Sequence, residues 1–359
     1  MPHRRTTFSK FIIEDLRRNV GHDPDLTGLL NDVMTACKQI GAALSRGALY
    51  GLGTTAPGAR TPFPTVANEI MVGGCEWGGQ LCGMVSSEMA QPYAIPAGYP
   101  RGRYLLVFTP LDGASNIDID VNVGTIFSVL RAPEGVSDPA LADFLQPGTS
   151  QIAAGYALYG AASLLVLSTG AGVNGFTLDR ETGAYTLTHP DMRIAPETAD
   201  CAINASNERH WEPPVRRYVS ECIEGEAGPR GKDFNMRWIA SVVAELHRVL
   251  VRGGLVLYPR DTSDAAARTG RLRLLSEANP IAMLVEQAGG AASTGRARIL
   301  ETPPTEIHQR VPVMLGSRNE VERLVKLHTS YDAGEELVFE SPLFKTRSLF
   351  RGTAGVAGL

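Results

Sequence analysis

A layered α/β fold, with sheets covered by helices, is what this 359-residue sequence predicts. Three observations lead to it. The N-terminal stretch has helical periodicity, the middle is dominated by short apolar strands, and the second half alternates strand with helix. An apolar sheet face or helix stripe must be buried against another element, and stacked layers are the stable arrangement.

The elements follow in order. Phe11, Ile12 and Leu16 recur at helical spacing, and Leu29, Leu30, Val33, Met34, Cys37, Ile40 and Leu44 repeat the pattern more strongly. Thr27 is the expected N-cap of that second helix. Gly51 to Pro64 reads as a Gly/Pro-rich loop, followed by a helix through Glu69, Ile70 and Trp77 that stops at Gly78-Gly79. Strands are expected over residues 103–108, 119–130 (one or two) and 156–168. Residues 175–179 and 185–188 flank Arg-Glu-Thr-Gly, a hairpin signal. Two prolines and several polar residues in 188–202 place a boundary between domains of residues 1–190 and 191–330. Beyond it come a helix over 234–251 stopped by Gly253-Gly254, a strand at 255–258 and a helix from Asn279-Pro280 to Gly289. A strand at 312–315 and a terminal helix at 319–328 complete the second domain. Residues 331–359 lack sustained periodicity and read as a mobile extension.

Composition narrows the function. Lys and Arg number 34 against 38 Asp and Glu, a formal charge of −4, which argues against a nucleic-acid partner. No apolar run approaches the roughly 20 residues of a membrane span, and the basic N-terminus lacks the apolar core of a signal peptide. Cys37, Cys75, Cys82, Cys201 and Cys222 are scattered and odd in number. That pattern suits a reducing cytoplasm and argues against a disulfide framework or zinc site.

Two segments hold the chemistry. Residues 109–118 read Thr-Pro-Leu-Asp-Gly-Ala-Ser-Asn-Ile-Asp, directly after an apolar strand. Such a turn can aim backbone N–H groups at a phosphate while the carboxylate, Asp112, holds a divalent cation. The alternative is an Asx-turn that only shapes the loop. In the second segment, residues 270–282, Arg271 and Arg273 alternate with leucines and point to one side of a strand that Glu277 closes. Two guanidinium groups beside a carboxylate can bind phosphate and metal, or form an exposed basic strand face.

The order of residues 109–118 resembles the motif of metal-dependent sugar and inositol phosphatases. Together with residues 125–131 (Thr-Ile-Phe-Ser-Val-Leu-Arg), 235–241 (Asn-Met-Arg-Trp-Ile-Ala-Ser), 252–259 (Arg-Gly-Gly-Leu-Val-Leu-Tyr-Pro) and the Glu277 segment, it is similar to class 1 fructose-1,6-bisphosphatase over about residues 7–328. The resemblance implies an αβαβα sandwich, a homotetramer, and hydrolysis of fructose 1,6-bisphosphate to fructose 6-phosphate with Mg²⁺ or Mn²⁺, in gluconeogenesis or the Calvin cycle. It implies metal-site or water-activating roles for Glu88, the Leu111 carbonyl, Asp112 and Glu277, with Arg273 beside them in the catalytic centre. Gly113, Ala114 and Ser115 would cradle the 1-phosphate. Asn204, Tyr258 and Arg271 would hold the sugar and its 6-phosphate, and Arg237 would reach a neighbouring subunit's site. Trp238 and Tyr258 can equally be core packing.

Three positions depart from the family pattern: Thr109 and Ser87 stand where it has metal-ligating acids, and Pro64 where it has an Asp. Ser276 replaces the aromatic expected before Glu277. Two readings follow, a working bisphosphatase or a non-catalytic sugar-phosphate-binding protein or regulatory subunit. Tyr104, Arg131 and Arg103 match the family's nucleotide-contacting positions. Asp23 and Asp25 on the adjacent turn would face a phosphate poorly.

Overall fold

The structure is a computed structural model that describes residues 6–19, 21, 23–50, 63–263 and 269–335. Three helices come first: α1 (Phe8–Asn19), α2 (Pro24–Leu44) and α3 (Phe63–Cys75). Then run β1 (Leu81–Ser86), β2 (Tyr93–Ala94), β3 (Tyr104–Asp112), β4 (Val123–Arg131), the short α4 (Leu141–Phe144), β5 (Ala153–Tyr159), β6 (Ser163–Ser168), β7 (Asn174–Asp179) and β8 (Ala184–His189). The second half contains β9 (Asp200–Ala202), α5 (Pro213–Ile223), β10 (Asn235–Arg237), α6 (Val242–Arg252) and β11 (Leu255–Tyr258). It ends with β12 (Leu272–Arg273), α7 (Asn279–Gln287), β13 (Ala291–Ser293), β14 (Arg310–Val311), β15 (Val313–Gly316) and α8 (Arg318–Asp332).

Strands β1–β8 form one sheet in the order β2-β1-β3-β4-β5-β6-β7-β8, and a second runs β10-β9-β11-β15-β13. Only β1 and β3 are parallel in the large sheet, whereas β9 is parallel to both β10 and β11 in the small one. Side chains alternate across a strand, so each sheet offers two faces. Tyr104, Leu106 and Phe108 pack under α1–α3. Ile126, Tyr156 and Val166 on the opposite face meet α6 and α7, which also cover Val256 and Leu315 of the small sheet. Leu255, Leu257 and Met314 turn to the far side, against α5 and α8. Five layers result, helix–sheet–helix–sheet–helix, as the family resemblance implies.

Several expectations shift. The N-cap of α2 is Asp23, whose side chain accepts from Leu26 N with Pro24 in the first turn; Thr27 instead donates to the Asp23 carbonyl. Pro64 is no loop residue but is buried in the first turn of α3, where a missing N–H is harmless. The rest of that loop, residues 51–62, lies outside the described residues. The α3 helix stops at Cys75, before the glycine pair. The helix expected from residue 234 begins only at Val242, because residues 235–237 pair with β9 as a strand. Ala240, at φ 61°, turns the chain between them. Glu277 closes no strand: β12 ends at Arg273, and residues 274–278 form a π-helical turn running into α7. The terminal helix runs on to Asp332, so the expected extension has its first two residues in α8; residues 336–359 lie outside the described residues. All five cysteines are free and buried. No helix among the described residues is long and apolar enough to cross a membrane.

Candidate active site

Asp112 is the last residue of β3, reached through an irregularity in its pairing with β4 between Thr109 and Asp112. Gly113 follows at φ 76°, a conformation that favours glycine, and a Cβ there would press on Ser241 Cβ at 3.1 Å. Ala114 and Ser115 continue into a short 3₁₀ turn closed by Asn116, whose side chain donates to the Ile239 carbonyl at 3.2 Å. This bond ties the turn to the segment before α6. Ser241 is the N-cap of α6, and its hydroxyl donates to Asp112 Oδ2 at 2.9 Å. Val243 N donates to the same oxygen at 3.0 Å. The carboxylate thus sits at the positive end of a helix. Burial nevertheless pushes its pKa up, outweighing the Val243 and Ser241 bonds.

Glu277 is buried on the helical turn before α7, and accepts from Arg273 N at 2.7 Å. Arg273 Nη1 stands 3.5 Å from its other oxygen. Burial pushes the Glu277 pKa up; the Arg273 bond and charge pull it down, and the charge of Asp112 raises it further. Burial dominates at the Tyr258 hydroxyl, with Asp112 and Glu277 among the charges that raise it and Arg271 lowering it. These four groups, from β3, β11 and the segment before α7, share one electrostatic neighbourhood.

Glu88 leaves β1 beside the end of β3, its N–H donating to Ser86 Oγ at 3.1 Å. Among the described residues no three His, Cys, Asp or Glu side chains gather as a metal ligand set, so Glu88 is not brought into a three-acid cluster with Asp112 and Glu277. The substituted positions are occupied differently. Thr109 is buried and donates to the Ser276 carbonyl at 3.2 Å. The hydroxyls of Ser87 and Ser276 are buried with no protein partner.

Tyr258 also lines a small cavity of about 90 Å³, together with Asn204, Asn207, Trp238, Asp261 and Arg271, among others. Asn204 caps a 3₁₀ turn, its Oδ1 accepting from Ser206 N and Oγ. Trp238 and Tyr258 contact each other with ring centroids 5.1 Å apart. Arg271 bonds Asp261 while Arg273 faces Glu277, so the two arginines serve different acids. Arg237 is exposed on the edge strand β10, 3.5 Å from Asp200. Sequence reasoning missed Ser241 and Asp261. A Ser before an apolar helical run is an N-cap signal that points to the first. The second sits in an Asp-Thr-Ser turn whose tertiary partner the sequence does not reveal.

Away from this site, Arg103, Tyr104 and Arg131 all turn toward Asp23. Arg103 Nη2 lies 2.9 Å and Arg131 Nη2 3.7 Å from its carboxylate, and the Tyr104 hydroxyl bonds it. Burial opposes that charge, but the Tyr104, Leu26 and Arg103 contacts prevail and hold the Asp23 pKa below its usual value.

Comparison with known proteins places this geometry. Residues 6–190 match the model of the fructose-1-6-bisphosphatase N-terminal domain, and residues 194–329 that of the C-terminal domain. Class 1 fructose-1,6-bisphosphatases of Methylacidiphilum infernorum and Hydrogenophilus thermoluteolus are 56% and 53% identical, over 98% and 96% of this chain and 99% and 97% of their own. The crystal structure of Leishmania major fructose-1,6-bisphosphatase in holo form superposes with a TM-score of 0.83 at 35% identity, covering 90% of this chain and 99% of that one. With both halves of the sandwich matched in this way, the chain belongs to the class 1 fructose-1,6-bisphosphatase family.

Proposed function

We propose that this chain hydrolyses the 1-phosphate of fructose 1,6-bisphosphate, releasing fructose 6-phosphate and phosphate. The observation that carries the reading is its near-full-length likeness to relatives named for that activity. The shared neighbourhood of Asp112, Glu277, Tyr258 and Arg271 supports it. Nothing in the comparisons favours the non-catalytic alternative.

The residues fit a hard divalent cation, Mg²⁺ or Mn²⁺. Asp112 and Glu277 are acids in surroundings that disfavour their charge, and the charge of a cation would relieve that cost. Mg²⁺ is commonly held by one or two carboxylates with substrate phosphate and water completing the shell. Asp112, Glu277 and the Leu111 carbonyl would hold it, and Glu88, just past β1, is the further acid that the resemblance implies for the site. When bound, such a cation would supply Lewis-acid polarisation of the phosphoryl oxygen and a water of lowered pKa.

The chain's own residues do the positioning. The Gly113–Ser115 turn brings backbone close to the 1-phosphate, and the α6 N-terminus favours negative charge beside it. Arg273 holds Glu277 in place through its N–H and guanidinium. Asn204, Tyr258 and Arg271 receive the sugar and its distal phosphate. Arg237 is exposed on the edge strand β10, and its role toward a neighbouring copy in a homotetramer is what the family resemblance implies. We place the enzyme in the cytoplasm, in gluconeogenesis or the Calvin cycle, as two domains of residues 1–190 and 191–330.

Phosphate release from fructose 1,6-bisphosphate, with Mg²⁺ and with Mn²⁺, tests the reading. Turnover is expected with at least one ion. Binding of the bisphosphate by calorimetry without any phosphate release would overturn hydrolysis. Light scattering at the 38.5 kDa monomer mass would overturn the tetramer.

A further inference from the structure

Asp261 is the one acid among the described residues lining the sugar-side cavity, and it is 2% exposed. Its Oδ2 accepts from Arg271 Nη2 at 2.5 Å and from Asn207 Nδ2 at 3.2 Å. Its Oδ1 accepts from Ser263 N at 2.9 Å and Ser263 Oγ at 2.5 Å. Burial opposes its charge, but the Ser263 and Arg271 bonds prevail and hold its carboxyl down at about 2. Asp261 is therefore a fixed anion at neutral pH.

Arg271 is thus not an unengaged guanidinium awaiting a ligand. The Arg271–Asp261 pair is neutral as a unit, and one edge of the guanidinium is already engaged. A phosphate approaching Arg271 meets a carboxylate held a hydrogen bond away. Like charges so close in a partly dry cavity repel strongly. A sugar hydroxyl has no such conflict, since it is neutral and needs only to accept from the guanidinium. The Trp238–Tyr258 contact on the same wall offers the apolar faces that pack well on a sugar.

We infer that Asp261 sets ligand preference by acting as the resident counter-ion of Arg271, in competition with the ligand's distal phosphate. The inference rests on the proposed reading, in which Arg271 faces that phosphate. Its consequence is a cleft that reads the sugar and grips the phosphate weakly, so that a phosphorylated product leaves readily.

The test is calorimetric titration of the full chain with fructose 6-phosphate and with fructose, for the native protein and for Asp261→Asn. The amide keeps the size and the acceptor oxygen for Ser263 but removes the competing charge. Asp261→Asn should bind fructose 6-phosphate about tenfold tighter or more, and fructose unchanged. Unchanged or weaker fructose 6-phosphate binding in a folded variant overturns the inference and leaves the proposed activity standing. Should the variant not fold, the native protein still decides. Fructose 6-phosphate binding within about tenfold of fructose supports the competition, and a hundredfold advantage for the phosphate overturns it. No binding of either ligand at millimolar concentration, by either protein, overturns both this inference and the proposed activity.

Discussion

Asp112 and Asp261 both lie at the ends of central strands, one leaving the large sheet after β3 and the other just past β11 of the small sheet. Asp112 is held by a hydroxyl and a backbone amide, neutral donors that cannot cancel its charge, and burial pushes its pKa up. Asp261 is held by a guanidinium as well as a serine, and its carboxyl stays at about 2. Position in the layers is similar; the charge of the partner is not. Asp112, with neutral partners only, remains available to a cation, whereas Asp261, held by Arg271, is already satisfied. Asp112 is therefore short of positive charge, and the Arg271–Asp261 pair is internally balanced.

The sharpest way to break this comparison is Asp112→Asn. It keeps an acceptor for Ser241 and Val243 and removes only the charge. If that charge serves the reaction, kcat should fall about 10²–10³-fold, the usual scale for losing one electrostatic group. Removing an ion that burial disfavours should leave the melting temperature unchanged or raised. A kcat within a few-fold of the native value would show that Asp112 only shapes its turn.

Thr109→Asp asks whether the metal side can accept another acid. The native hydroxyl donates to the Ser276 carbonyl, so a carboxylate there would face a carbonyl oxygen inside the protein. The cost should be about 3 kcal/mol without divalent ions, as for an unpaired buried charge. Thermal melts with and without Mg²⁺ check it, and recovery of the loss by Mg²⁺ is the expected result. Combined with Ser87→Glu and Pro64→Asp, kcat should rise by more than the product of the single changes, about 10²-fold or roughly 2.7 kcal/mol.

A third buried group gives the same lesson without a ligand. His247 is pushed down to about 4, first by burial and then by the His189 charge, with its Nδ1 2.8 Å from the Tyr156 hydroxyl. The unfolded chain protonates near pH 6.5 while the folded ring stays neutral. The stability is thus complete above that pH and is lost as pH falls from 6.5 through 4. The loss should approach about 3 kcal/mol. Melting curves of native protein and His247→Gln across that window should converge as pH falls; parallel curves would refute it. The smallest effect is expected of Ser241→Ala, which removes the α6 cap and one Asp112 partner at a cost of about 1 kcal/mol, read by chemical denaturation.

Much of the molecule could be read from the chain because its signals are local. The heptad-like apolar spacing of α2, the hairpin of β7 and β8, and Asn279-Pro280 at the start of α7 each reflect preferences within a few residues. The turn after Asp112 was legible because its Gly-small-Ser-Asn sequence is local too. Residues 235–237 were misread because Met236 falls in helical register with Ile239 and Val242, while the strand depends on pairing with β9, more than thirty residues away. Ser241 and Asp261 stayed hidden for the same reason, since each acquires its role from a partner on another element.

The Asp112 carboxylate belongs to the large sheet, but its Ser241 and Val243 donors belong to α6, which packs against both sheets. It therefore works as a benchmark against which the two halves of the sandwich are levelled. A slide of α6 by an ångström, from overpacking beneath Val249 or Leu250, would stretch bonds of 2.9 and 3.0 Å beyond hydrogen-bonding range. Substitutions in this interior, well away from Asp112, would then surface as a change in the charge that Asp112 holds.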